Sequence, residues 1–358
     1  MSYSVAFWRR DLSTPLLLSG VMLDVERLSW MAVGGCDLAS IQASGGEAAL
    51  WELADLLRCR VEIADEQGRP AWWGYVDDVA ITIGALKWGV TLTTMANRIQ
   101  VAYEDVTAAS TGTRGTTDWA QDDDSVDEYG TCDRQEPLSS AGLDEAESRR
   151  DALLEALRYP QPTIDFSGSS VGAAVQCRGW WHSLKRRQYD NPGDGLVETT
   201  DQIVDIITDV GEHFAGVEIE TASGIDSVEY RDGDTNALAE LEDLLAAGVA
   251  DGRRYLATVS RERRVYVYEE PAPAASDLHM LADGTVQDRW GNPMIYGPDV
   301  VGKWTILKDV LPAHVNMSRL ADASRVFLER VEYDAARNRL RPQPRGPSAY
   351  KVSKVVPG

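Results

Sequence analysis

Ser170 is the residue of this chain that motif places best for covalent chemistry. Gly168-Ser169-Ser170-Val171-Gly172 matches GxSxG, the pattern of an acyl-transfer nucleophile. That chemistry needs a strand, a sharp elbow and then a helix, so that the serine oxygen is lifted toward a base and an oxyanion hole. Thr163 to Phe166 can supply the strand. Ala173 to Cys177 lacks helical amphipathicity and runs into Arg178-Gly179-Trp180-Trp181. The context for a nucleophile elbow is therefore missing, and no catalytic residue is assigned.

Other chemistry fails on spacing. His182, His213, His279 and His314 form no metal-binding pair, and HExxH is absent. Cys36, Cys59, Cys132 and Cys177 are far apart with no CxxC, which reads as four reduced, buried thiols. In the acidic run an EF-hand register from Asp122 puts Val126 at a ligand position. A register from Asp123 puts Glu128 where glycine is required. There is no GxxxxGK[ST] loop and no GxGxxG opening a helix. No metal and no cofactor is expected.

Charge narrows the function further. The 358 residues carry 57 acids against 35 bases, a net charge of -22. Proteins that grip nucleic acid phosphates need clustered Lys and Arg. The clusters here, Arg149-Arg150, Arg253-Arg254 and Arg261 to Arg264, imply no wide basic surface. An acidic channel wall past which DNA slides is compatible with this balance. Among eleven tryptophans, Trp72-Trp73 and Trp180-Trp181 are adjacent pairs. On a strand one ring of each pair faces each side, so each pair offers a core ring and a candidate subunit-interface anchor.

The elements that must position these residues are mostly strands. Residues 1–105 read as a β domain, with a hairpin turn at Asp65-Glu66-Gln67-Gly68, alternation over Lys87 to Thr94, and one short helix at Glu47 to Leu57. Residues 106–162 form an acidic connector, read as a surface loop, followed by a helix from Leu143 to Tyr159 that Pro160 and Pro162 stop. Residues 163–198 return to strand character. Residues 199–270 read as an α/β module: one helix capped at Thr199 with Gln202, a second capped by Asp234 and closed at Gly248, then a hairpin across Arg261-Glu262-Arg263. Residues 271–358 open on a Pro/Ala linker and are β and loop, with strands at Trp304 to Leu307 and Val326 to Tyr333. No run reaches the roughly 18 apolar residues of a membrane helix. The apolar run Pro15 to Leu18 is too short for a signal peptide, so assembly in a host cytoplasm is expected.

Several of these segments resemble phage tail hub and minor tail proteins. Val61-Glu62-Ile63 through the Asp65 turn to Trp73-Gly74-Tyr75-Val76 is similar to their first barrel, and Met95 to Tyr103 looks like the end of it. Asp127-Glu128-Tyr129-Gly130, Gly179 to Leu184 and Gly302-Lys303-Trp304 extend the likeness. The resemblance implies an α+β, β-rich fold of two tube-like β-barrel domains, with a helical connector and a small inserted α/β module. The first barrel would be 1–105; the second would start in 163–198 and finish in 271–358.

It also implies a non-enzymatic virion protein of the tail tip or baseplate. The expected assembly is a homotrimeric hub ring that meets the tail tube or distal tail protein, the tape measure protein and tip or fibre proteins. DNA passes its lumen without specific binding, and no membrane anchor is expected. The alternatives are a receptor- or glycan-binding tail protein, and a tail-associated hydrolase using Ser170.

Overall fold

The structure, a computed structural model, describes residues 3–105, 113–189, 195–228, 236–249, 252–272, 277–281, 283–307, 325–335 and 337–345. His314, the Asp234 cap and the tail past Arg345 lie outside the described residues.

The first hundred residues build β1 (Tyr3–Trp8), β2 (Pro15–Leu16), β3 (Val21–Met31), β4 (Gly35–Gly45), α1 (Glu47–Trp51), β5 (Arg60–Asp65), β6 (Pro70–Gly84), β7 (Leu86–Thr91) and β8 (Arg98–Asp105). The helix expected at Glu47 to Leu57 tightens into a 3₁₀ turn over Glu52–Leu56. The β5–β6 turn forms as the sequence dictates. Asp65 accepts from the backbone N–H groups of Gln67 and Arg69, both at 2.9 Å, and Gly68 takes a φ of 77° that favours glycine.

The connector is more ordered than a surface loop. It holds β9 (Thr113–Thr116), β10 (Ala120–Gln121), α2 (Asp123–Tyr129) and β11 (Asp133–Ala141). The acidic run is a helix start: Asp122 caps α2 by accepting from Ser125 N at 2.9 Å, and its other oxygen holds Arg158. Then come α3 (Leu143–Leu157), β12 (Thr163–Asp165), β13 (Ser170–Arg178) and a 3₁₀ helix at Trp180–Arg186.

The α/β module comprises β14 (Leu196–Glu198), α4 (Thr199–Val210), β15 (Gly216–Ile219), β16 (Asp226–Val228), α5 (Ala237–Ala247), β17 (Tyr255–Val259) and β18 (Arg264–Glu269). Its caps differ from those expected. Glu198 caps α4, accepting from Thr200 N and Asp201 N, and Asn236 caps α5, accepting from Ala239 N. Gly248 closes α5 with φ 70°. The remainder gives β19 (Leu278–Met280), β20 (Val286–Gln287), β21 (Trp304–Leu307), β22 (Arg325–Asp334) and β23 (Arg339–Arg345).

Fourteen strands share one sheet, ordered β2-β1-β5-β6-β13-β4-β3-β22-β21-β19-β20, with β7 and β12 branching from β6 and β23 flanking β22. Smaller sheets run β10-β8-β11 with β9 on β8, β14-β16, and β15-β18-β17. The expectation of two closed barrels is corrected here, because no sheet closes by hydrogen bonding among the described residues. The reason lies in β6 and β22. Beside β13, the other flank of β6 is shared by β5 along its first half and β7 along its second. One flank of β22 is likewise shared by β21 and β3. The sheet forks at both places and curls instead, bringing the Tyr3 ring on β1 to 5.3 Å from Tyr333 on β22.

Strand alternation gives this sheet two different faces. One cross-strand row reads Ile164, Trp88, Ile81, Ala173, Ala43, Leu23; the next reads Val90, Val79, Val175, Ile41, Val25. This is the core face, and α1 packs on it against β4, β6 and β13. The alternating row reads Thr163, Gly89, Ala80, Ala174, Gln42, Asp24, and its neighbour reads Thr91, Asp78, Gln176, Ser40, Arg27, Asp334. Side chains on this second face are small or polar except at its rim, where Met22 and Leu38 lie.

Candidate functional site

Ser170 opens β13, paired with Gly84 on β6, and is exposed. The residues after it continue as strand to Arg178. The strand–elbow–helix that a GxSxG nucleophile needs is therefore absent at this position.

A constellation that sequence reading missed lies elsewhere. Buried Asp37 on β4 receives the Ser29 hydroxyl at 2.8 Å on Oδ2 and His182 Nε2 at 2.9 Å on Oδ1, while Arg330 pairs with Oδ2 at 2.6 Å. Burial alone would raise the Asp37 pKa. The hydrogen bonds from His182 and Ser29, together with the Arg330 charge, outweigh it and hold the carboxyl below its ordinary value. All three residue types of a catalytic triad are present, but the order is wrong for activating serine. The carboxylate stands between Ser29 and His182, so the imidazole is not the acceptor of the serine proton. Ser29 is fully buried as well. The cluster ties β3, β4, β22 and the 3₁₀ helix together. Residues 29, 37, 182 and 330 are too far apart in sequence for spacing to have grouped them.

Of the four nominated tryptophans, Trp73 and Trp180 touch the α/β module, and Trp181 lies with Trp180 in the 3₁₀ helix that packs on it, while Trp72 lies on β6 paired with Ile63. Trp72, Trp180 and Trp181 are fully buried and Trp73 is half-buried. Trp72, Trp180 and Trp181 are thus covered within the chain, and Trp73 is the one of the four that keeps a partly open ring. Trp73 Nε1 donates to Val259 O at 2.8 Å, fastening β17 to β6. Trp181 packs on the β3–β4 turn so tightly that a Cβ on Gly34 would lie 2.6 Å from its ring. Gly34 has φ 100°, and its N–H donates to Ala257 O at 2.6 Å. The indole N–H groups of Trp72, Trp180 and Trp181 have no hydrogen-bond partner among the described residues, so packing holds these rings.

Around Trp180 lies a buried charged node. Its ring sits 5.5 Å from Tyr75 and 5.9 Å from His213. The Arg58 guanidinium stacks 4.5 Å from the Tyr75 ring centre and 5.5 Å from that of Trp180. Burial lowers the Arg58 pKa. Burial also lowers that of His213, to about 4, with the Arg58 charge adding to it and the Glu212 hydrogen bond opposing it. For Glu212 burial acts upward, but hydrogen bonds from His213 and Thr131 and the Arg187 charge prevail and keep the carboxylate ionised. Asp133, below the same node, receives Arg187 Nε at 3.1 Å and Gln188 N at 2.9 Å. Its carboxyl is raised by burial. Every group here is held by another group of the chain or by a stacked ring. The arrangement locks modules together and presents no open position to a substrate.

His279 lies on β19. No group of three or more His, Cys, Asp or Glu that could hold a metal occurs among the described residues. All four cysteines are free and buried; burial pushes the Cys59 thiol up to about 11 and those of Cys36 and Cys177 further.

The polar face of the sheet is open. It carries two adjoining hollows of about 790 and 650 Å³ that share Asp24 and Gln176. The arginines lining these hollows are engaged: Arg27 pairs with Glu332 and Arg341 with Asp334. Burial, and next the Asp77 charge, raise the Asp78 carboxyl. Glu26 accepts from Ser40 and from Gln42, the latter at 3.2 Å.

No protein-family model matches the chain. No curated protein matches it either. Among solved structures it is similar to the 43 kDa tail protein of prophage MuSo2 from Shewanella oneidensis, at 9% sequence identity over 92% of this chain and 98% of that one, with a TM-score of 0.43.

Proposed function

We propose that this chain is a structural, non-enzymatic subunit of a phage or phage-like tail, forming a homotrimeric hub ring between the tail tube and the tip. The observation that carries the reading is the two-faced sheet. Its exposed face is small and polar across six strands from Thr163 to Asp24, and its other face is core. A passage wall must stay wetted and offer no apolar foothold to a protein cargo, and it must not attract phosphate. Acids outnumber bases around its two hollows, Asp24, Glu26, Asp78, Glu332 and Asp334 against Arg27, Lys87 and Arg341, in a chain of net charge -22, which favours the last condition.

On this reading the tape measure protein and then DNA traverse the lumen without specific binding. The tail tube or distal tail protein and the tip or fibre proteins lie above and below the ring, in the virion tail. The family marks at Trp73 to Val76 and Asn97 to Tyr103 support the same reading. Trp72, Trp180 and Trp181 are internal, so they offer no aromatic platform for a receptor- or glycan-binding role. The hydrolase alternative loses its elbow at Ser170.

Electron microscopy and native mass measurement of the purified protein, alone and with its tail-tube partner, test the proposal. Three copies around an open channel are expected. A strict monomer under both conditions overturns it.

A further inference from the structure

We infer that the β12 edge of the large sheet, with the apolar surface beside it, is where a second copy of this chain docks. The inference rests on the ring reading above and names the surface through which the copies meet.

Three observations carry it. First, β12 is the outer strand of the β6-β7-β12 branch. It pairs with β7 on one side, and all three of its residues are exposed. Its other backbone edge has no strand partner among the described residues. Unpaired N–H and C=O groups of an edge are satisfied best by another strand.

Second, the core face continues past its cover at this edge. Ile164 is 61% exposed, Phe166 77% and Val171 52%. The rows place Ile164 beside Trp88, and Val171 beside Ile83, both only half-buried. Third, charge selects this place. Two copies of net charge -22 repel. Their approach is easiest where the surface is apolar and the nearest charges, Lys87 and Asp165, are of opposite sign and directly paired across the strands.

The two-faced pattern indicates a copy of this chain. At β12, Thr163 and Asp165 lie on the polar face and Ile164 on the core face. A strand added there must present polar side chains to one side and apolar ones to the other, as the strands of this same sheet do. Such an addition extends the passage wall from one copy to the next. Three residues of strand supply few backbone bonds, so Ile164, Phe166 and Val171 must supply most of the affinity.

The test uses the full chain with Ile164→Asp, Phe166→Asp and the double variant, and Leu196→Asp, 68% exposed on β14, as a control. Self-association is read by sedimentation and mass photometry, and folding by circular dichroism and the unfolding midpoint. The double variant is expected to fold as the parent does and to weaken association at least about tenfold. Leu196→Asp is expected to leave it unchanged. A double variant that assembles like the parent overturns the docking surface while the ring reading stands. A parent chain that stays monomeric, alone and with its tube partner, overturns both.

Discussion

Two rows of the same strands teach how this molecule divides its work. Trp88, Ile81, Ala173, Ala43 and Leu23 cross the sheet on one face; Gly89, Ala80, Ala174, Gln42 and Asp24 cross it one residue away on the other. The strands, register and hydrogen bonds are the same. The first row is wholly apolar, with Trp88, Ile81 and Leu23 supplying bulk, and helps to seal a core. The second is stripped of bulk and left wet. A solvated face on a monomeric domain usually carries long charged side chains; this one carries Gly, Ala, Ser, Thr and Gln in its middle. The difference separates what holds the sheet from what the sheet offers.

That comparison can be broken by mutation. The largest effect is expected on the core side. Trp181→Ala removes a fully buried ring that wedges the β3–β4 turn against the α/β module, and it should lower unfolding free energy by about 3–5 kcal/mol in urea titration. Ile41→Ala, in the middle of a core row, should cost about 2–5 kcal/mol by the same measurement. A loss below about 1 kcal/mol at either site would mean that the core face is not the stabilising one.

The acid limb of stability comes next. His213 is held neutral in the folded protein, with its pKa depressed from 6.5 to about 4. As pH falls through 6.5 the unfolded chain takes up a proton that the folded chain refuses. Stability should therefore fall by about 1.4 kcal/mol per pH unit between 6.5 and about 4, and level off below. Glu212, whose folded pKa is depressed, adds a loss that begins lower, as pH falls through its unfolded value of 4.5. His213→Gln should flatten the upper part of this limb and leave the lower part; an unchanged slope above pH 5 would refute the assignment.

The smallest effect is expected on the wet face. Ala174→Ser lies in the same strand as Val175 and should change stability by less than about 0.5 kcal/mol. A larger loss would show that this face is covered in the isolated chain.

Much of this was legible in the sequence because it is local. The alternation at Lys87 to Thr91, the Asp65 turn, α3 with its proline stop, and the 255–269 hairpin all follow from neighbours in sequence. The caps were read one residue off at Glu198 because its carboxylate captures the N–H groups of Thr200 and Asp201 before Thr199 can act as cap. The acidic run concealed a helix because Asp122 spends its charge as a cap and on Arg158, a partner 36 residues away.

The site features were least legible. Adjacent tryptophans on a strand should face opposite sides, but Trp180 and Trp181 lie in a 3₁₀ helix at a three-way junction, where both rings find cover. The Ser29, Asp37, His182 and Arg330 cluster, and the forking of the large sheet at β6 and β22, depend on pairings that no local pattern encodes.

Those pairings also set a timetable. β13 lies between β6 and β4, matching Val175 to Ile41, and β22 then adds to β3, matching Val331 to Trp30. During synthesis the early strands emerge long before their partners do. The large sheet therefore cannot be completed until nearly the whole chain has left the ribosome, and folding should be slow because its ordering contacts are distant in sequence. Before β13 emerges the inner edges of β4 and β6 are bare, so a nascent chain stalled ahead of it is the form most exposed to strand pairing with the wrong partner.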